Sequence, residues 1–129
     1  MATKTEAAKK RTLARNYPDL HDHLKALDEA GLLVTVDREI NKDTEMHPLV
    51  RWQFRGGIDE KDRKAFLFTN VVDSKGKKFD MPVAVGVLAA NRQIYALGMG
   101  CPVEDVQDCW TKAIANPIPP KEITSDEAP

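Results

Sequence analysis

The chain has 129 residues, 42% of them hydrophobic, and its 19 Lys and Arg nearly balance its 20 Asp and Glu to give a net charge of −1. This length predicts one domain with one modest core, and the balanced charge gives no electrostatic basis for binding nucleic acid or anionic lipid. The longest apolar run, residues 82–90, is far shorter than the ~20 residues of a membrane-spanning helix, and no apolar signal-peptide core precedes it, so we expect a cytoplasmic protein with no membrane partner.

Residues 1–18 are basic and hold few large apolar side chains, which predicts a flexible tail. A mitochondrial presequence is the alternative interpretation, because such segments are also rich in basic residues. Glu6 and the absence of serine from this stretch speak against it.

The first element predicted after the tail is a helix over residues 19–30. Leu20, Leu24 and Leu27 follow the spacing of one helical stripe, Asp19 is a suitable N-cap, and Gly31 is suited to end the helix. A short strand over residues 32–36 follows, since its second half is β-branched.

The remaining elements come from the same kind of pattern. A charged connection over residues 37–44 leads to a helix predicted from about Glu45 to Arg55, with His47 as the latest start, because Pro48 belongs in a first turn. The last helix carries an apolar stripe of Val103, Val106, Trp110, Ala113 and Ile114. The sequence thus predicts one α/β domain with disordered termini and a short mixed sheet of residues 32–36, 65–71 and 82–88, packed by helices at residues 19–30, 46–55, 91–97 and 102–115.

The end of the chain resembles a linker. Three prolines in residues 116–120 exclude a helix there, and the acidic residues that follow have little to bury. We therefore expect residues 19–115 to form the domain and residues 116–129 to be a Pro-rich lead-in to a further domain.

The histidines are weak candidates for a metal site. His21 and His23 are two residues apart on a predicted helix, so their side chains point to nearly opposite faces, whereas a helical ligand pair needs a spacing of three or four. Two solvent-facing histidines are the simpler interpretation. His47, beside Pro48, is more typical of a helix start than of a general base.

Cys101 is the candidate nucleophile. It precedes Pro102 at a predicted helix start, where the helix dipole lowers a thiol pKa, but no histidine base is near it in sequence. Cys109 is interpreted as a packing residue. Two cysteines are too few for a disulfide framework, so we expect reduced thiols.

The other chemical motifs favour structural interpretations. Gly98-Met-Gly100 lacks the third glycine and the preceding strand of a dinucleotide fingerprint, so a helix end is favoured. No carboxylate has an apolar neighbourhood that would raise its pKa; this holds for Asp37, Glu39, Asp43, Glu45, Glu104 and Asp105. The residues alone predict an α/β domain in which no active site can be identified.

In order along the chain, several segments resemble the N-terminal domain of the UbiD-type decarboxylases over roughly residues 19–123. The matching residues are Asp19-Leu20 with Leu24, Leu27, Gly31 and Leu33, then residues 36–40, 65–68, 70–71, 81–83, Gly86, 91–92, 96–98 and 114–120. Each match is weak alone, but the collinear set is fairly specific.

The resemblance implies a family chemistry that these residues do not carry. Family members release carbon dioxide reversibly from aromatic or α,β-unsaturated acids, using prenylated flavin mononucleotide held with manganese and potassium. The resemblance places the Glu-Arg-Glu proton-transfer set and the metal ligands in a downstream domain. We therefore assign no catalytic, cofactor-binding or metal-ligating residue and no cofactor to this chain itself.

Three hypotheses follow. The leading one is a structural N-terminal domain or fragment of a UbiD-type decarboxylase, inactive alone, which packs against flavin-binding and C-terminal domains and exposes an apolar patch when free. The patch also gives a route to self-association. The second is a free-standing binding or regulatory subunit that works in trans with a decarboxylase, and the third is a thiol enzyme built on Cys101.

Overall fold

The computed structural model describes residues 19–127, and the tail predicted for residues 1–18 lies outside this part of the chain. The described part forms helices α1 (Leu20–Glu29), α2 (His47–Arg55), α3 (Arg92–Met99) and α4 (Val106–Ala115), and strands β1 (Leu33–Val36), β2 (Ile40–Asn41), β3 (Ala65–Phe68), β4 (Val71–Val72), β5 (Lys78–Phe79) and β6 (Val83–Val85). A π-helical turn covers Lys42–Met46, and 3₁₀ turns cover Glu60–Asp62, Val103–Asp105 and Ser125–Glu127. The predicted α/β fold is confirmed.

The strands form two small mixed sheets. In the first, with order β1-β3-β6, β1 runs parallel to β3 and β6 runs antiparallel to it. In the second, with order β2-β4-β5, β2 is parallel and β5 antiparallel to β4. The registers pair Leu33 with Ala65, Phe66 with Val85, Ile40 with Val71, and Val71 with Phe79.

This arrangement corrects the prediction of one sheet with strands at 65–71 and 82–88. The first of these segments contributes to both sheets, because the chain leaves β3 after Phe68 and enters β4 at Val71. The second ends at Val85, since Gly86 has a φ of +74° and turns the chain away. A Cβ on Gly86 would lie 3.2 Å from the Ala90 Cβ, so the close approach also favours glycine.

The segment 37–44 is also more ordered than predicted. It contains β2 and most of the π-helical turn, whose first N–H groups at Asp43 and Thr44 donate to the Asn41 side chain. The α-helix α2 then begins at His47, the latest start that the sequence predicted, with Pro48 in its first turn.

Two apolar cores meet at β3. Ala65, at the start of this strand, packs in a core with residues of α1 and α3, whereas Phe68, at its end, packs in a core with residues of α2 and the second sheet. The first core contains Leu27, Leu32, Ala65, Ala90 and Ile94, and the second contains Ile40, Met46, Val50, Phe68 and Val71. Strand β3 therefore links the two halves of the fold.

Helix α1 confirms its predicted cap. The Asp19 carboxylate accepts hydrogen bonds from the N–H groups of His21 and Asp22 at 2.9 and 3.1 Å, and the Asp22 carboxylate accepts from the Asp19 N–H. Its stripe is only partly covered, because Leu27 is buried while Leu20 remains exposed. No helix of residues 19–127 is long and apolar enough to cross a membrane.

Candidate docking surface

Helix α4 has an apolar stripe that the described part of the chain does not cover. Val106 and Cys109 are half-buried, but Trp110 is 45% exposed and Ile114 is 72% exposed. Val103, one turn before the helix, is exposed on the same stripe. We call Val103, Trp110 and Ile114 the α4 surface.

Hydrogen bonds to α3 fix the position of α4. The Trp110 indole N–H donates to the Tyr95 hydroxyl at 2.5 Å, and the Cys101 N–H donates to the Ala96 carbonyl at 3.1 Å. Gly100, with a φ of +66°, ends α3 in the left-handed conformation that this backbone reversal requires. The α4 surface is therefore presented by an anchored helix.

An apolar segment continues beyond α4. Asn116 ends the helix, and the extended residues that follow are all exposed, with Ile118 at 93%. The predicted exclusion of a helix from residues 116–120 is confirmed. The exposed apolar area therefore does not stop at Ile114.

A second apolar feature is an open cleft of about 540 Å³ between α1 and α3. Leu20, Ala26, Leu88 and Leu97 supply its apolar lining. The carboxylates of Asp19 and Asp22, which cap α1, also line this cleft.

The two histidines of α1, which were considered as metal ligands, lie in different environments. His21 is almost fully exposed, whereas His23 is half-buried and its Nε2 lies 2.6 Å from the Val87 carbonyl, to which it donates as N–H. The prediction of two solvent-facing histidines is thus wrong for His23. The His23 ring lies beside Gly98 of α3, where a Cβ would stand 3.4 Å from the His23 Cε1, at van der Waals contact.

The thiol of Cys101 is not activated. Burial, together with a hydrogen bond to the Cys109 thiol and the negative charge of Asp105, raises the pKa of Cys101 instead of lowering it. The reactive-thiolate hypothesis depended on a lowered pKa, so the geometry disfavours a thiol enzyme built on this residue.

The other residues considered as functional candidates have structural roles. Gly98 lies inside α3 and Gly100 is its C-cap, so this segment is a helix end, as predicted. Hydrogen bonds from the Lys42 ammonium and the Ser74 N–H hold the pKa of the exposed Asp43 carboxyl below its usual value. His47 opens α2, as predicted.

The sequence did not predict the hydrogen bonds that two buried polar side chains make to the backbone. Gln53 and Asn91, each 4% exposed, both bind the backbone of the segment that leads into β3. Asn91 also caps α3 through the Ile94 N–H. The one signal for the burial of Gln53 in the sequence is its position three residues after the apolar Val50, on the same side of the helix.

Comparison with known protein families decides the relationship. Residues 24–113, more than half of the chain, match the model of the 3-octaprenyl-4-hydroxybenzoate carboxy-lyase N-terminal domain, UbiD_N. The chain belongs to this family. No curated protein sequence is similar enough to the chain to count as a match.

A solved structure supports the UbiD_N fold. The chain is similar to Sedimentibacter hydroxybenzoicus vanillic acid decarboxylase (ShVdcCD), in an open form with a truncated ShVdcD, with a TM-score of 0.62 at 22% identity. The match covers 88% of this chain but 24% of that one. The UbiD_N chain therefore spans about a quarter of the length of its structural relative.

The family implies a metal and a flavin, and the described residues of this UbiD_N chain do not supply the ligands of a metal site. Residues 19–127 bring no three His, Cys, Asp or Glu side chains together as a metal site would require. His23 is bonded to Val87, and the Asp43 carboxylate is bonded to Lys42 and Ser74. We derive no catalytic step through either group.

Proposed function

We propose that this UbiD_N chain is a structural domain of a UbiD-type decarboxylase and is inactive alone. In this role it packs against the flavin-binding and C-terminal domains of the enzyme, which lie either in the same polypeptide or in a partner subunit. The proposed reaction of the whole enzyme is the loss of carbon dioxide from aromatic or α,β-unsaturated acids, with prenylated flavin mononucleotide, manganese and potassium bound outside this domain.

The observation that carries this proposal is the α4 surface. Burying apolar side chains stabilises a protein by about 1.5–3 kcal/mol for each large one, so a helix stripe of Trp and Ile left in water is typical of a face that meets a partner. Aromatic residues at such faces often dominate the binding energy. The extended segment after α4 continues this apolar area toward the next part of a longer chain or a partner.

Two further observations support an inactive role. The described residues offer no ligand set for a metal, and the pKa of the one candidate nucleophile, Cys101, is raised. The similarity to a vanillic acid decarboxylase, an enzyme named for an aromatic acid, is consistent with the proposed substrate class. The cytoplasm is the proposed location.

The second candidate function is a free-standing regulatory or binding subunit that acts in trans. The description of the similar structure is a reason to retain this second candidate, because it names ShVdcCD together with a truncated ShVdcD. The DNA that follows the codon for Pro129 separates the two cases. A flavin-binding domain encoded there supports the domain in cis, and an unrelated gene supports the subunit in trans.

Activity is tested with the purified chain, prenylated flavin mononucleotide, manganese and potassium, on a panel of aromatic and α,β-unsaturated acids. We expect no carbon dioxide release from the chain alone. Release by the chain alone, at a rate that scales with its concentration, would overturn the proposal. Self-association through the α4 surface stays a prediction, and sedimentation of the free chain tests it.

A further inference from the structure

The outer side of α2 carries a basic and aromatic surface that the proposed function does not use. Arg51, Trp52 and Arg55 are all exposed, and Trp52 keeps 61% of its surface in water. Residues three and four apart are neighbours on a helix, so Arg55 lies beside both Trp52 and Arg51. We call these three residues the α2 face. The opposite side of α2 is fixed in the fold, since Val50 and Gln53 are buried.

The α2 face and the α4 surface belong to different halves of the fold. Helix α2 packs in the second core through Val50, whereas α4 is held by α3, whose Ile94 packs in the first core. Each surface can therefore be altered without the other. The inference below goes beyond the proposed function and does not rest on it.

The Trp52 indole has a defined position over the end of α2. A Cβ on Gly56 would lie 2.8 Å from the Trp52 Cε2 and 2.9 Å from its Nε1, closer than van der Waals contact allows, so the ring packs on the Gly56 backbone. Within residues 19–127 the indole N–H has no hydrogen-bond partner. Trp52 therefore presents a preformed ring and a free donor to solvent, which reduces the entropy lost on binding.

The two arginines of the α2 face are not neutralised by other residues that the structure describes. Neither guanidinium makes an ion pair or a hydrogen bond with them. Helix α2 contains no acidic residue, and the nearest glutamates along the chain are bonded elsewhere, Glu45 to Arg38 and Glu60 to the Arg92 N–H. The α2 face is thus a local positive surface on a chain with a net charge of −1.

We propose that the α2 face is a docking site for an acidic helix of a partner protein. Guanidinium groups bind carboxylates through two parallel hydrogen bonds. Arg51 and Arg55 are one helical turn apart, so a helix with carboxylates at positions i and i+4 presents them at the same spacing. An apolar side chain between these carboxylates packs on Trp52. Tryptophan and arginine are also the residues that most often dominate the binding energy of protein interfaces.

The charge pattern favours a protein over a nucleic acid as this partner. Nucleic acids are bound through many phosphate contacts, each made by a separate cation or polar group. The α2 face offers two cations on a chain that is slightly acidic as a whole. Two cations beside one aromatic ring match a single short acidic helix instead.

The test measures fluorescence anisotropy of a labelled helical peptide mixed with the purified chain. The probe has about 18 residues of alanine, leucine and glutamate, with its glutamates at i and i+4 on one side. We expect a Kd on the order of 10–100 µM at low salt, and at least about fivefold weaker binding in 0.5 M sodium chloride, because salt screens exposed charges. The same peptide with glutamine in place of glutamate should bind at least about tenfold more weakly.

Variants of exposed residues locate the binding site. Arg51→Gln combined with Arg55→Gln should weaken the Kd for the glutamate peptide at least about tenfold. Lys75→Gln combined with Lys78→Gln removes the same charge from exposed positions near β5 and should change the Kd less than about twofold. Trp52→Ala should weaken binding about fivefold. Circular dichroism checks that each variant is folded.

Four results would each overturn the proposal. They are no binding of the glutamate peptide up to about 1 mM, equal binding of the glutamine peptide, an equal loss in the two double variants, and tighter binding of a labelled oligothymidylate than of the glutamate peptide. The last result would make the α2 face a nucleic-acid surface.

Discussion

The side-chain amide of Gln53 and the backbone of Lys64 form a closed pair of hydrogen bonds, each 2.9 Å long. The Gln53 Nε2 donates to the Lys64 carbonyl, and the Lys64 N–H donates to the Gln53 Oε1. Lys64 immediately precedes β3, which pairs with β1 from Ala65 on one side and with β6 only from Phe66 on the other. One side chain of α2 thus replaces the strand neighbour that the backbone lacks at this point and holds α2 to the centre of the fold.

Replacing Gln53 tests this relationship. Gln53→Leu leaves the half-buried N–H and carbonyl of Lys64 without these partners, and since an unpaired group costs about 1–3 kcal/mol when it is buried, we expect the free energy of unfolding to fall by about 1–3 kcal/mol. Urea unfolding followed by circular dichroism measures it. Gln93→Leu, on the exposed side of α3, is the matched control and should change stability by less than about 0.5 kcal/mol. Equal effects of the two substitutions would contradict the structural role of the pair.

The two histidines of α1 give a second matched comparison. His23→Ala removes the hydrogen bond to the Val87 carbonyl, whereas His21→Ala changes an almost fully exposed side chain. Since both gain the same helix propensity, the difference reports the contact. We expect His23→Ala to be less stable than His21→Ala by about 1–2 kcal/mol. Thermal unfolding of the two variants measures this difference, and equal melting temperatures would show that the contact contributes nothing.

Asn91 should also contribute strongly to the stability of the fold. Its side chain accepts from the Ile94 N–H at 2.8 Å in the interior and donates to the half-buried Arg63 carbonyl at 2.7 Å. Asn91→Ala therefore removes a cap and the partner of a half-buried carbonyl, which we expect to cost about 2–3 kcal/mol in urea unfolding. Asn116→Ala is the control, because this exposed residue at the end of α4 donates one bond to the Lys112 carbonyl. A loss at Asn116 as large as that at Asn91 would contradict the account.

Asp43 should make part of the folding stability depend on pH in the acidic range. Its pKa is lowered in the folded state by the hydrogen bond from Lys42 and by the Ser74 N–H. The stabilisation is therefore present above the unfolded value, about pH 4, and is lost as the pH falls through the lower folded pKa. We expect the stability difference between the natural chain and Asp43→Asn to shrink over this window in urea titrations at several pH values. Lys42→Met should move the loss to higher pH, and an unchanged profile in Lys42→Met would contradict the assignment.

Local signals predicted the parts of the fold that depend on neighbouring residues. The Asp19 cap, the end of α1 before Gly31 and the place of Pro48 in the first turn of α2 each follow from one or two residues and hold in the structure. The α/β class and the order of the main elements followed from hydrophobic spacing. These features need no knowledge of distant contacts.

The division into two sheets could not be predicted in the same way. Strands β2, β4 and β5 have two residues each, too few to show any periodicity, and they exist because Ile40 and Val71 pair across the fold. The apolar pattern of residues 82–88 suited a strand throughout, but the positive φ of Gly86 ends it.

The candidate site was predicted only in outline. The stripe of α4 was evident from its spacing, but spacing cannot tell whether a stripe faces the chain's own core or a partner. Only the exposure of Trp110 and Ile114 in the fold makes that distinction. The half-buried place of His23 was missed because Val87 is far away in sequence.

The most direct test of the docking role measures the affinity of this chain for the flavin-binding and C-terminal domains of a UbiD-type decarboxylase, the proposed partner, prepared as a separate polypeptide. Ile114→Asp puts a charge on the α4 surface, and Met81→Asp puts the same charge on a side chain of matched exposure, 75% against 72%, outside that surface. Calorimetry should show at least about a tenfold weaker Kd for Ile114→Asp and a change below about twofold for Met81→Asp. Equal affinities of the natural chain and Ile114→Asp, with both variants folded, would contradict the claim that α4 is the docking surface.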